Sequence, residues 1–285
     1  MVLVESFFDQ ETNTVSYVIA DSTSKKCAVI DSVMGFDLSS GRTNTVSADL
    51  IIDYLNVQQF TLQWILETHI HADHISAAAY IQSQLGGKIA IGEHVTEVQK
   101  IFTKLFNAPA SFAKNGELFD KLIRDQECLN IGQLSLHAIH TPGHTSACMS
   151  YLIEDALFVG DTLFMPDYGT ARADFPGGNA QTLYRSIQKL LKLPDQTRVF
   201  TCHDYKTPER EEFAWQSSIG QQRMNVHLAN GVSEAEFVDF RKQRDKKLSL
   251  PRLFLPSVQI NMRAGRFPEP ASNGISYLLT PVNQL

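Results

Sequence analysis

The sequence offers no stretch near the ~20 consecutive apolar residues that a membrane-spanning helix requires. It has no C-x-x-C pair. The four cysteines, Cys27, Cys128, Cys148 and Cys202, stand far apart, which excludes a zinc knuckle and a thioredoxin-type redox motif. They read as small buried side chains in a reducing compartment. Cys202 is included, because Val199 and Phe200 before it read as strand. No run of Lys or Arg occurs, and 25 basic against 31 acidic residues leave a formal net charge of −6. That balance argues against nucleic acid and against an anionic membrane surface as partners. The opening residues, with Glu5, Asp9 and Glu11, lack the basic segment of a secretory leader and the arginines of a transit peptide, so cytoplasm is the expected location. Internal repeats and low-complexity segments are missing too. The pairs Gly86-Gly87 and Gly177-Gly178 suit turns and have no phosphate-loop pattern around them.

What is present is an ordinary globular composition, 43% hydrophobic and 20% charged. A chain of this length buries about three quarters of its unfolded surface. It needs neither disulfide nor structural metal to stay folded, so a metal site in it calls for a functional reason. Residues 14–21 and 26–31 read as strands joined by a Ser/Thr turn. Residues 47–57 read as a helix after a Ser cap, and 61–69 as a buried strand. A helical stretch opening at Ile75 is closed by Gly86-Gly87. Further strands are expected at 134–141, within 147–161 and at 198–204, with a helix near 180–192. Strands come in runs as well as alternating with helices. That favours a four-layer α/β (α+β) fold, two sheets with helices outside, over one doubly wound parallel sheet. Residues 1–225 would form this body and 226–285 a helix and tail packed on it. Ser233 and Glu236 make a capping box for the helix, whose charge run reads as a solvated face. The proline-rich stretch beyond it, 250–270, reads as an extended, turn-rich tail.

The chemistry is concentrated elsewhere. His69-Ile70-His71-Ala72-Asp73-His74 packs four metal-ligand side chains into six residues, on a loop between a strand and a helix. Imidazole and carboxylate suit a divalent first-row metal, and in an extended strand end His69 and His71 point to one side. A single histidine is more often structural; this density makes coincidence a poor explanation. His144, Asp161 and His203 each follow a strand, where rigid scaffolds place functional groups. One side of a sandwich would gather all these strand ends. His94, His137, His140 and His227 fall outside the pattern and read as structural or surface residues.

The pattern H-x-H-x-D-H at 69–74, followed by His144, Asp161 and His203 at intervals of 70, 17 and 42 residues, resembles the metallo-β-lactamase superfamily. That resemblance implies an αββα sandwich with a metal cleft along one edge. Three segments look more narrowly like the persulfide dioxygenases, and their bacterial subgroup in particular: Gly160 to Gly178, His203-Asp204-Tyr205, and Ser257 to Gly265. Ala171-Arg172-Ala173 departs from that family's commoner Cys-Gly-Arg-Thr. The resemblance implies oxidation of glutathione persulfide by O2 to sulfite and glutathione. It implies one Fe(II) per chain, held by His69, His144 and Asp161, with His71, Asp73, His74 and His203 around it, and a homodimer. Because glutathione carries two carboxylates, Arg172, Tyr205, Lys206 and Arg263 are the expected substrate contacts, and Asp174 is a further candidate for a bond to a site histidine. The same seven residues also match glyoxalase II, a thioester hydrolase with two Zn(II). There His69, His71 and His144 would hold one metal, Asp73, His74 and His203 the other, and Asp161 would bridge. A non-catalytic metal-binding sensor would show a missing ligand, and none is missing. β-Lactam hydrolysis fits less well without an export signal.

Overall fold

The computed structural model describes residues 2–109, 111–112 and 114–284. The first half contains β1 (Leu3–Asp9), β2 (Thr14–Asp21), β3 (Lys26–Ile30), β4 (Val33–Asp37), β5 (Arg42–Asn44), α1 (Val46–Val57), β6 (Thr61–Leu66), β7 (Ile75–Ser76), α2 (Ala78–Leu85), β8 (Lys88–Gly92), α3 (Val95–Leu105) and β9 (Lys121–Ile123). The second contains β10 (Cys128–Ile131), β11 (Leu134–His140), β12 (Met149–Ile153), β13 (Ala156–Phe158), α4 (Ala180–Leu190), β14 (Arg198–Phe200), β15 (Gln216–Ser218), α5 (Ile219–Gln222), α6 (Glu234–Asp245) and α7 (Phe254–Asn261).

Two six-stranded sheets result, in the orders β1-β2-β3-β6-β8-β9 and β10-β11-β12-β13-β14-β15, with a small third sheet β5-β4-β7. Side-chain alternation explains how they stack. In β2, Tyr17 and Ile19 point into one core while Val18 and Ala20 point into another. Cys27 and Val29 of β3 likewise oppose Ala28 and Ile30. The core between the sheets joins Tyr17, Ile19, Ile30 and Leu66 to Leu136, Tyr151 and Phe158. Outside the first sheet lie residues of α1, α2, α3 and α7; outside the second, Leu157 and Val199 meet Leu183 and Ile187 of α4 and Phe237 of α6. Helix, sheet, sheet and helix therefore form four layers. Among the described residues no helix is long and apolar enough to cross a membrane.

Several local expectations change. Ile75 and Ser76 do not open a helix. They pair antiparallel with Val33 and Met34, where a β-branched residue fits, and Ser76 Oγ then accepts the Ala78 amide at the start of α2. Ser47 does not cap α1, which starts at Val46; its hydroxyl donates to Asp9 Oδ2 at 2.6 Å. The strand at 198–204 ends at Phe200. Cys128 is exposed, on β10 beside His137, while the other three cysteines are buried. The tail is not extended throughout, since 254–261 is the helix α7. Pro256 sits in its first turn, where a missing N–H removes no intrahelical bond. Phe254, Val258 and Ile260 then join the core of the first sheet. The capping box is present, with Ser233 Oγ accepting from the Glu236 amide and the Glu236 carboxylate accepting from the Ser233 amide.

Candidate metal centre

The loops after β6, β11, β13 and β14 emerge along one edge of the sandwich and carry His69–His74, His144, Asp161 and His203. Two glycines let them converge. Gly143 has φ +143°, and a Cβ there would lie 2.3 Å from Leu183 Cα; Gly160 has φ +50°, and a Cβ would lie 2.6 Å from Thr68 Oγ1. Only glycine brings His144 onto α4 and Asp161 beside the His69 loop without displacement.

The residues gather into two groups, His69/His144/Asp161 and His71/Asp73/His74/His203. Asp161 stands between them. Its Oδ2 lies 3.9 Å from His69 Nε2 and 3.6 Å from His144 Nε2, and its Oδ1 lies 3.3 Å from His203 Nε2. Asp73 Oδ2 is 3.2 Å from His203 Nε2 and 3.4 Å from His74 Nδ1. All five histidines are buried.

Each imidazole has one nitrogen engaged by the protein. His69 Nδ1 meets Thr68 Oγ1 at 2.9 Å, and because that hydroxyl already donates to Asp31 Oδ2, it accepts from His69. His144 Nδ1 meets the Arg172 carbonyl at 2.8 Å, and His203 Nδ1 meets the Asn13 carbonyl at 3.2 Å. His74 Nδ1 faces Thr14 Oγ1 at 3.3 Å. His71 is reversed: its Nε2 lies 3.0 Å from Asp31 Oδ1 and 3.3 Å from Glu67 Oε2. The opposite atoms, His69 Nε2, His71 Nδ1, His74 Nε2 and His203 Nε2, and Asp161 Oδ1 are buried and have no hydrogen-bond partner among the described residues. Leaving a buried polar atom unsatisfied costs about 1–3 kcal/mol each; two of these atoms belong to the first group and three to the second, and they are the kind of atom a cation's ligands present. A divalent metal fits the donor set, since each ring is held from behind on its other nitrogen.

Charge follows the same layout. Burial holds His69 well below the usual histidine range, reinforced by His71 and His144, so its lone pair stays available. Burial also opposes a charge on His71, but the Asp31 carboxylate outweighs it, with help from Glu67, and lifts His71 well above that range. Burial would raise Asp73, yet the neighbouring His203 and His74 hold it well below the usual carboxylate range.

Residues 10–203 match the metallo-β-lactamase superfamily. The chain belongs to that superfamily. It is 52% identical to a probable metallo-hydrolase of Burkholderia pseudomallei over 99% of both chains, and 46% identical to glyoxylase B2 of Dictyostelium discoideum over 99% of this chain and 97% of that one. A β-lactamase hydrolase-like protein of Xylella fastidiosa is 48% identical, and the chain spans 65% of its length. The bovine mitochondrial persulfide dioxygenase ETHE1 is 29% identical over 93% of this chain and 89% of its own. The crystal structure of ETHE1 from Myxococcus xanthus superposes with a TM-score of 0.73 at 28% identity, covering 93% of this chain and all of that one.

In this metallo-β-lactamase fold a cavity of about 380 Å³ opens over the centre, with His144, Asp161 and Asp73 at its floor. Phe164, Tyr168, Phe175 and Tyr205 line it, and Arg172, Arg244 and Arg252 reach its rim. Of the expected substrate contacts, Arg172 and Tyr205 are here. Arg172, however, already spends its fork on Asp174 and on the Ser249 carbonyl at 2.7 Å, and lies over the Phe175 ring. Asp174 therefore holds Arg172 and not a site histidine. Lys206 turns away, its Nζ 4.1 Å from the Phe213 ring centroid. Arg263 is buried elsewhere, over Phe112 and donating to the Gln259 carbonyl, because α7 packs into the core.

Three contributors gave little signal in the sequence. Asp31 ends a strand as an ordinary turn residue would. Asn261 lies in the tail, yet its side chain donates to the carbonyls of His71 and His74 and accepts the Ser76 amide, clamping the metal loop. Arg244 belongs to the charge run of α6, and among the described residues it has no ion pair although it faces the cavity.

Proposed function

We propose that the chain is a persulfide dioxygenase working at a single ferrous ion held by His69, His144 and Asp161. The observation that carries this reading is the two-histidine, one-carboxylate trio under an aromatic cavity rimmed by arginine. Similarity to persulfide dioxygenases over nine tenths of the chain supports it. Such a trio leaves several coordination positions open, and a bound ferrous ion supplies the one-electron chemistry by which dioxygen meets a closed-shell persulfide sulfur. The net change is glutathione persulfide, dioxygen and water giving glutathione, sulfite and two protons.

The chain's own residues do the rest. Phe164, Tyr168 and Phe175 keep water from the reacting sulfur. Arg244 anchors a carboxylate of the thiol carrier, since among the described residues its cation has no ion pair. Thr68 and the Arg172 carbonyl hold the Nδ1 protons of His69 and His144, which leaves both Nε2 atoms as donors.

A second reading has its own observation. His71 Nδ1, His74 Nε2 and His203 Nε2 are also orphaned, and Asp161 touches both groups. That arrangement suits a two-zinc thioester hydrolase of the glyoxalase type. One experiment separates the two: oxygen uptake by iron-loaded protein with glutathione persulfide, beside S-lactoylglutathione cleavage by the same protein. The dioxygenase reading predicts rapid, iron-dependent uptake with sulfite formed. Thioester cleavage without uptake would establish the hydrolase.

A further inference from the structure

Residues 170–174 lie between β13 and α4, with Thr170, Ala171 and Arg172 lining the cavity, and they are gripped by side chains from later in the chain. The Thr170 amide donates to His227 Nδ1 at 2.9 Å. The Thr170 carbonyl accepts from Arg241 Nη1 at 2.9 Å, and the Ala173 amide donates to Asp245 Oδ2 at 2.9 Å. Both last partners belong to α6, one turn apart, and pair with each other while only 1% and 3% exposed. Between these grips lies the Arg172 carbonyl, which takes the His144 Nδ1 proton at 2.8 Å. A carbonyl can only accept, so this contact selects the tautomer whose Nε2 lone pair faces Asp161 and the metal position.

A buried ion pair adds little stability over apolar residues of the same shape. The Arg241–Asp245 pair does something apolar residues could not: it supplies a donor and an acceptor to a backbone stretch that meets a site histidine. The geometry points to the Arg241–Asp245 pair of α6 as a positioning device for the metal centre, acting through residues 170–173 on His144. The C-terminal region is thereby part of the site's machinery without touching the metal. The inference rests on His144 being a metal ligand.

Metal-free full-length protein, titrated with Zn²⁺ against a chromophoric chelator and with Co²⁺ for its visible spectrum, tests this. Four variants are compared. Asp245→Leu removes the Ala173 acceptor. The double variant Arg241→Met/Asp245→Leu removes both grips without stranding a buried charge, which keeps the test open if the single variant fails to fold. Glu234→Gln is the control: this carboxylate ties α6 to Gln181 and Arg185 at 2.8–3.0 Å, away from residues 170–174. His144→Ala reports whether the ligand assignment holds. Loss of an outer hydrogen-bond partner typically lowers metal affinity about 10- to 100-fold. The expected result is a loss of about tenfold or more with an altered Co²⁺ spectrum in the double variant, at unchanged circular dichroism, and parental values in Glu234→Gln. A folded double variant with parental affinity and spectrum, alongside a defective His144→Ala, would overturn the positioning role. Parental affinity and spectrum in His144→Ala itself would overturn the ligand assignment and the inference with it.

Discussion

At the residue scale the centre is built from histidines held on one nitrogen and free on the other, and the holding groups are testable one by one. Thr68→Val keeps the shape of the side chain but removes the acceptor for His69 Nδ1. Its affinity for Zn²⁺ should fall about tenfold, and unchanged competition with a chelator would contradict the role. Arg244→Ala should raise KM for glutathione persulfide about tenfold with kcat nearly unchanged, as expected for lost carboxylate binding; an unchanged KM would show that the carrier is held elsewhere. His227 is pushed down to about 3 by burial, then by Arg241 and Arg244. It is neutral when folded but ordinary when unfolded, so its contribution is fully present above about pH 6.5 and shrinks as pH falls toward 3. By pH 5 about 1–2 kcal/mol should be lost, and His227→Gln should flatten that limb of a urea-denaturation series. The ligand-type residues were legible in the sequence because density and spacing made them so. Asp31 and Arg244 were not, since what marks Asp31 is a partner 40 residues away and what marks Arg244 is the lack of an ion pair among the described residues.

At the scale of elements, the capping box of α6 was readable because Ser233 and Glu236 are local to one turn. The tail was not. Its prolines suggest extended chain, but Pro256 falls in the first turn of α7, and burial of Phe254, Val258 and Ile260 outweighs propensity. The helix delivers Asn261 to the metal loop. Asn261→Leu would strand the carbonyls of His71 and His74 and the Ser76 amide. Urea denaturation of this variant should show a loss of about 3–5 kcal/mol, with metal affinity reduced as the loop loosens. A loss below 1 kcal/mol would mean that the clamp is idle.

For the whole molecule, two sheets stacked face to face put the loops after β6, β11, β13 and β14 on one edge, and the layered fold was readable from runs of strands alternating with helices. Which loops meet is a long-range outcome, and Gly143 and Gly160 decide how closely. If the centre binds metal only when folded, saturation at a thousand times Kd adds about 4 kcal/mol. Removing metal by chelation should then lower the melting temperature by roughly 8–16 °C at about 2–4 °C per kcal/mol for a chain near this size. The most direct test of the account is an anaerobic Fe²⁺ titration of metal-free protein with bound iron counted per chain, repeated on Asp161→Asn and His74→Ala. A single ferrous centre at His69, His144 and Asp161 gives one iron per chain, lost in Asp161→Asn and kept in His74→Ala; two metals per chain, with one or both lost in His74→Ala, would rule it out.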